Sequence, residues 1–225
     1  MRVAYLHGFL GDASVWDDIA PASATRVDLP GHGGGRVRAT WDANLEVIAK
    51  RVAGCDAVVG YSLGARVALG LLATNKISRA VLISVNPGID DAERPVRRDS
   101  DARWVRLLRS QGLVPFLEAW EAQPLFATQT RAAPERRLVR RMHRVKLDRE
   151  QLARSLETMG LAEMPDYRAL VDERVTLIVG SDDDKFRAIA STLPARATHV
   201  VPDCGHDPTL EQPAALAALL ERELR

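Results

Sequence analysis

The stretch VVGYSLGAR, Val58 to Arg66, decides how this chain is read. An apolar run enters it and an Ala/Leu-rich helical pattern leaves it, with Ser62 between two glycines at the junction. Gly60-Tyr61-Ser62-Leu63-Gly64 has the form G-x-S-x-G. Between a strand and a helix this spacing makes a sharp turn. The glycines let strand and helix pack closely, and the serine hydroxyl is exposed beyond the strand's C-terminal end. The backbone N–H of Leu63, at the helix start, can then help bind an oxyanion. The five residues alone do not separate a reactive serine from an ordinary turn residue, so the rest of the chain must decide.

Short apolar runs at 3–6, 26–29, 57–60, 80–85, 175–180 and 198–201 predict buried strands. Several are bounded by Gly, Pro, Asp or Ser, as parallel strands tend to be. Helical patterns separate them. Residues 41–53 are amphipathic, residues 63–72 are apolar nearly all round, and residues 213–224 begin with proline and continue in Ala and Leu. The alternation predicts a mostly parallel, doubly wound α/β sheet. The chain has 225 residues, is 46% hydrophobic and 27% charged, and carries a formal net charge of +1. That balance gives no overall bias toward nucleic acid or membrane. Two cysteines, Cys55 and Cys204, make neither a disulfide framework nor a zinc motif, so no metal is expected. The opening residues lack the apolar stretch and cleavage site of a signal peptide, and no run reaches membrane-spanning length. The expectation is a cytoplasmic enzyme without nucleic-acid or membrane partners, as monomer or homodimer.

Two further stretches support a reactive serine. LHGFLGD, residues 6–12, follows the first strand, where the N–H of Phe9 can supply a second oxyanion donor. VPDCGHDPTLEQP, residues 201–213, puts His206 after a strand and a glycine, completing the chain order serine, acid, histidine. The acid should follow the strand at 175–180, where Asp182, Asp183 and Asp184 stand together; spacing does not choose among them. His7, His32, His143 and His199 lack this context and read as structural or exposed. Cys204 reads as a packing residue.

Residues 89–160 break the alternation and predict a helical cap inserted between core segments 1–88 and 161–225. From 94 to 154 there are 15 Lys or Arg against 7 Asp or Glu. A basic cap on an otherwise acidic chain favours an anionic small-molecule ligand.

Taken together, HGFLGD, VDLPGHGG (27–34), GYSLGAR, NPGIDDAERPVRRDSD (86–101), FLEAWEAQPLFA (116–127), GSDDDKF (180–186) and CGH (204–206) resemble an α/β-hydrolase-fold lyase family of menaquinone biosynthesis, the 2-succinyl-6-hydroxy-2,4-cyclohexadiene-1-carboxylate synthases. The likeness runs along nearly the whole chain. The elbow and CGH are generic to the superfamily; the arginine after the elbow and the cap motifs are more specific. The resemblance implies the α/β-hydrolase fold and removal of a proton alpha to the succinyl ketone with expulsion of pyruvate, without a cofactor. It implies that Ser62, Asp183 and His206 form the triad, with the serine acting as base. It also implies that the N–H groups of Phe9 and Leu63 stabilise the developing enolate.

The implied substrate carries three carboxylates, which guanidinium groups bind by paired, directional hydrogen bonds. Arg66, one helical turn past Ser62, and Arg98 and Arg144 of the cap match arginine positions; Arg140 and Arg141 lie close to the last of these. Tyr61 and Trp120 match pocket-lining aromatics, Trp120 reading almost equally as a core residue. There are departures: the first strand lies so near residue 1 that the family's leading hairpin is expected to be missing, and Ala65 stands where a glycine is expected. A serine hydrolase acting on a small acidic ester or thioester is the alternative, and a non-catalytic binding module on the same fold is a third.

Overall fold

The computed structural model describes residues 1–33 and 35–225, so Gly34 of the VDLPGHGG stretch lies outside the described residues. Six strands form one sheet: β1 Val3–Leu6, β2 Thr25–Val27, β3 Ala57–Tyr61, β4 Arg79–Ile83, β5 Val175–Gly180 and β6 Ala197–Val201. Their order is β2-β1-β3-β4-β5-β6, and all five pairings are parallel. Chain order therefore reverses at β1, which lies between β2 and β3. Open α/β sheets bind ligands in the crevice at such a switch point, beyond the strands' carboxyl ends. Leu6 pairs with Gly60, so the loops after β1 and β3 leave the sheet side by side.

The central strands read as apolar runs because helices cover both faces. Leu6, Val58, Leu82 and Leu177 point to one face, where they meet helix α1 (Trp41–Arg51), α2 (Leu63–Ala73) and α7 (Asp184–Ser191). Tyr5, Val59, Val81 and Ile178 point to the other, against a short turn at Ala13–Trp16 and the last helix, α9 (Pro213–Glu223). A four-residue helix, α8 (Pro208–Glu211), precedes α9.

Between β4 and β5 run four helices and no strand: α3 (Arg94–Gln111), α4 (Leu113–Glu121), α5 (Pro134–Arg144) and α6 (Arg149–Met159). Of these, α3, α4 and α6 share an apolar cluster, with Val105, Leu108, Phe116, Leu117, Leu152 and Leu156 packed with Leu10 of the loop after β1. Hydrophobic burial thus ties this helical segment to the switch point.

Two strands end earlier than their apolar runs. β2 stops at Val27, and the Leu29 N–H donates to His7 Nε2 at 2.9 Å rather than to a ladder. β4 stops at Ile83, because Ser84 takes a left-handed φ of 51° and turns the chain into the crevice. Among the described residues no helix is long and apolar enough to cross a membrane.

Candidate active site

The turn after β3 is built by close contact. A Cβ on Gly64 would lie 2.3 Å from the Leu6 carbonyl oxygen, and one on Gly60 would lie 2.4 Å from that of Gly64. Bare glycine at both positions lets α2 press directly on the strand ends. The tightness forces Ser62 to φ 50°, a left-handed conformation costing on the order of 1 kcal/mol. The Ser62 N–H donates to the Ile83 carbonyl at 2.9 Å, anchoring the turn to β4.

His206, on the loop after β6, places Nε2 3.3 Å from Ser62 Oγ. Its Nδ1 lies 2.8 Å from Asp183 Oδ2. An ionised carboxylate only accepts, so Nδ1 carries the hydrogen and Nε2 presents its lone pair to the serine hydroxyl. Asp183 is held in turn as the N-cap of α7, with Oδ1 accepting from the Phe186 N–H at 3.3 Å. The rings of Phe186, Tyr61 and Phe126 surround the imidazole at 4.4, 5.7 and 6.0 Å between centroids. Both His206 and Asp183 are buried. Of the neighbouring aspartates, Asp182 pairs with Arg131 and Ser181, and Asp184 is almost fully exposed, 3.5 Å from Arg187. The structure thus brings Asp183, not its neighbours, to the histidine.

A cavity of about 310 Å³ lies between these loops and the helical segment, with Ser62, His206, Phe9, Leu63 and Tyr61 in its wall. Leu63 opens α2, where the first N–H groups have no partner within the helix. On the Phe9 side, His7 does work that its sequence did not announce. Its Nε2 accepts from Leu29, so its Nδ1 carries the hydrogen and donates to the Gly8 carbonyl at 2.7 Å. That bond fixes the peptide leading to Phe9. Burial lowers the pKa of His7, keeping it neutral for this role. Burial, reinforced by His7, holds His32 down at about 3. Burial and then Asp207 raise the Tyr61 hydroxyl well above its ordinary range, and burial likewise raises the Cys204 thiol, which is inert packing.

Four arginines line the cavity: Arg66, Arg97, Arg140 and Arg144. Arg98 is not among them. Its side chain is half exposed and its Nε donates to Glu163 at 2.7 Å. The reason is helix phase. Arg97, Ser100, Asp101 and Trp104 recur at the spacing of one helical face and line the cavity together, while the next residue points about 100° away. That recurrence was available in the sequence and would have selected Arg97. Trp120 lines the cavity and also stacks on Phe116 at 5.5 Å, so wall and core are one surface. Lys185 of the GSDDDKF run also faces it, unanticipated.

The arginines differ in partners. Arg97 donates to Asp101 at 3.0 Å, Arg140 to Asp207 at 3.2 Å and Arg144 to Glu121 at 2.8 Å. Among the described residues Arg66 has no carboxylate partner; it donates to the Met159 carbonyl at 2.9 Å. Burial, then repulsion from Arg97, bring its pKa down to about 9, with Asp101 opposing. It is still a cation at neutral pH, held where water does not fully solvate it. Arg144 Nε is buried and makes no hydrogen bond. Each therefore has donor capacity that an anion in the cavity could use.

Residues 3–219 match the family model described as alpha/beta hydrolase family. A 2-succinyl-6-hydroxy-2,4-cyclohexadiene-1-carboxylate synthase from Enterobacter sp. (strain 638) is 33% identical, covering 99% of this chain and 91% of the relative. The enzyme of that name from Escherichia coli O157:H7 (strain EC4115 / EHEC) is 34% identical, covering 99% and 93%. The chain belongs to this synthase family of alpha/beta hydrolases. The structure of MenH from S. aureus superposes with a TM-score of 0.89 at 25% identity, covering all of this chain and 93% of the other. A malate-bound thermophilic esterase from Thermogutta terrifontis gives 0.82 at 25% identity, covering 100% and 89%. The family's sheet, with the loops after β1, β3, β5 and β6 meeting over it, explains why residues so distant in this sequence share one cavity.

Proposed function

We propose that this synthase-family enzyme eliminates pyruvate from 2-succinyl-5-enolpyruvyl-6-hydroxy-3-cyclohexene-1-carboxylate, giving 2-succinyl-6-hydroxy-2,4-cyclohexadiene-1-carboxylate for menaquinone. The substrate's own chemistry sets what the site must do. The ring carbon bearing the succinyl ketone, C2, loses its proton to Ser62 Oγ, whose own proton His206 Nε2 takes. The electron pair of the C2–H bond becomes the C2=C3 double bond. The C3=C4 pair moves to C4=C5, and the C5–O bond breaks with its pair going to the leaving enolpyruvate. The proton on His206 returns to that fragment, which leaves as pyruvate. Negative charge builds on the ketone oxygen on the way, where the N–H groups of Phe9 and Leu63 stabilise it without reorganising. Asp183 holds the imidazole in the tautomer that accepts from serine.

The observation carrying this reading is Arg66: a partly buried guanidinium with no carboxylate partner among the described residues, one turn from Ser62. It supplies a fixed cation for one carboxylate. Arg97 donates to Asp101 and Arg144 to Glu121, and a guanidinium has five donors to share. A tricarboxylate therefore fits better than a neutral ester. Every group invoked comes from one chain, with residues 89–160 as the cap closing the site, in a cytoplasmic enzyme.

The test is incubation of the pure protein with the enolpyruvyl precursor, reading pyruvate with a coupled dehydrogenase. Release by the wild type and its loss in Ser62→Ala are expected; no release would overturn the reading. The likeness to an esterase favours one second reading, serine hydrolysis. That reading requires an acyl group on Ser62, visible by intact mass after mixing with an activated ester.

A further inference from the structure

Arg140 stands apart from the other cavity arginines. It comes from α5, yet its partners lie on the loop that carries His206. Nη1 donates to Asp207 Oδ2 at 3.2 Å, and Nη2 donates to Thr209 Oγ1 at 3.2 Å. Asp207 follows His206 directly, and its side chain is 1% exposed; that of Arg140 is 11% exposed. The other Asp207 oxygen accepts from Thr209 Oγ1 at 2.5 Å and from the Leu210 N–H at 3.2 Å, capping α8. Glu211 grips the same loop, accepting from the N–H groups of Gly205 at 2.8 Å and Asp207 at 3.2 Å. The charged groups around the loop include Asp182 and Asp183 from the segment between β5 and α7, Asp203 and Asp207 of the loop itself, Glu211 from α8 and Arg140 from α5.

We propose that Arg140 is a positioning residue that, through Asp207, fixes the loop carrying His206 to helix α5, so that the imidazole aligns with Ser62 only when the cap is seated. Two facts favour this over a fourth substrate clamp. The guanidinium is already engaged at both terminal nitrogens, unlike Arg66 with its single backbone acceptor and distant sulfur. A buried ion pair also adds little net stability over apolar packing, so what it supplies best is orientation.

The inference rests on Ser62, Asp183 and His206 being the catalytic set, and a double-mutant cycle tests it. Arg140→Met should lower kcat about 10- to 100-fold, because small misplacements of a catalytic group cost that much, with KM within about threefold. Arg140→Lys should recover part of the loss. Arg140→Met with Asp207→Asn should be more active than Arg140→Met alone, since the double variant leaves no unpaired buried carboxylate. A raised KM with unchanged kcat in Arg140→Met would make Arg140 a substrate clamp and overturn the proposal, as would strictly additive effects. Amide hydrogen exchange of residues 203–211 provides a readout independent of turnover. It should be faster in Arg140→Met and return toward wild type in the double variant; unchanged exchange overturns the proposal. A wild type that releases no pyruvate ends the functional reading alone, and the exchange result then decides this one.

Discussion

Arg66→Met should make the protein more stable and a worse enzyme. Burial brings the Arg66 pKa down to about 9, so the folded protein holds this cation at a cost. Each tenfold loss of proton affinity is about 1.4 kcal/mol, which puts the gross penalty near pH 7 at about 4 to 5 kcal/mol. The sign follows from the direction. The unfolded chain binds this proton more tightly than the folded one, so the penalty is fully present below pH 9 and fades as pH rises past it. Methionine fills similar space without charge but cannot donate to the Met159 carbonyl, a loss of about 1 kcal/mol. Partial contact with solvent trims the rest. A net gain of about 2 kcal/mol remains, roughly 5 °C in Tm for a domain of this size. The same change removes a charge-assisted bond to substrate worth about 1.5 to 3 kcal/mol, so kcat/KM should fall about 10- to 100-fold. Differential scanning calorimetry at pH 7 and the pyruvate assay check both halves. A lower Tm with unaltered kcat/KM would refute the view that Arg66 is an unsatisfied cation kept for the substrate.

Three further outcomes are expected. Arg97→Gln should cut kcat/KM about tenfold or more while Arg98→Gln stays within about twofold, since only Arg97 faces the cavity; steady-state kinetics on both checks this. Asp183→Asn should reduce kcat about 10⁴-fold by loss of the imidazole-orienting acceptor, whereas Asp182→Asn, which weakens bonds to Arg131 and Ser181 away from the imidazole, should leave turnover near wild type. His32 is held near 3 against an ordinary 6.5, so the unfolded chain takes up its proton first as pH falls. Stability should therefore drop by about 1.4 kcal/mol per pH unit between pH 6.5 and 3, and urea titrations across that window should show a shallower fall in His32→Gln.

The architecture was legible in the sequence because a sheet buried on both faces leaves continuous apolar runs between turn residues. The turn after β3 was legible because only glycine permits the approach at Gly60 and Gly64. What sequence spacing left open was set by tertiary geometry. Three consecutive aspartates follow β5, and the turn into α7 decides that Asp183 meets His206. Two adjacent arginines, Arg97 and Arg98, follow the first turn of α3, and helix phase decides that Arg97 faces inward. Local sequence does not reveal that Arg140 reaches Asp207, because α5 and the histidine loop are 67 residues apart and meet only when the helical segment packs on the sheet. His7 read as structural or exposed, and what the sequence left open was its partner: the role depends on the Leu29 N–H arriving just past the end of β2.

Proton removal from C2 by Ser62 and His206 is the step on which the proposed elimination depends. Single-turnover rapid quench, with enzyme in excess over precursor carrying hydrogen or deuterium at C2, measures that step through the pyruvate formed. The account predicts severalfold slower pyruvate formation from the deuterated precursor; equal rates for the two would contradict it.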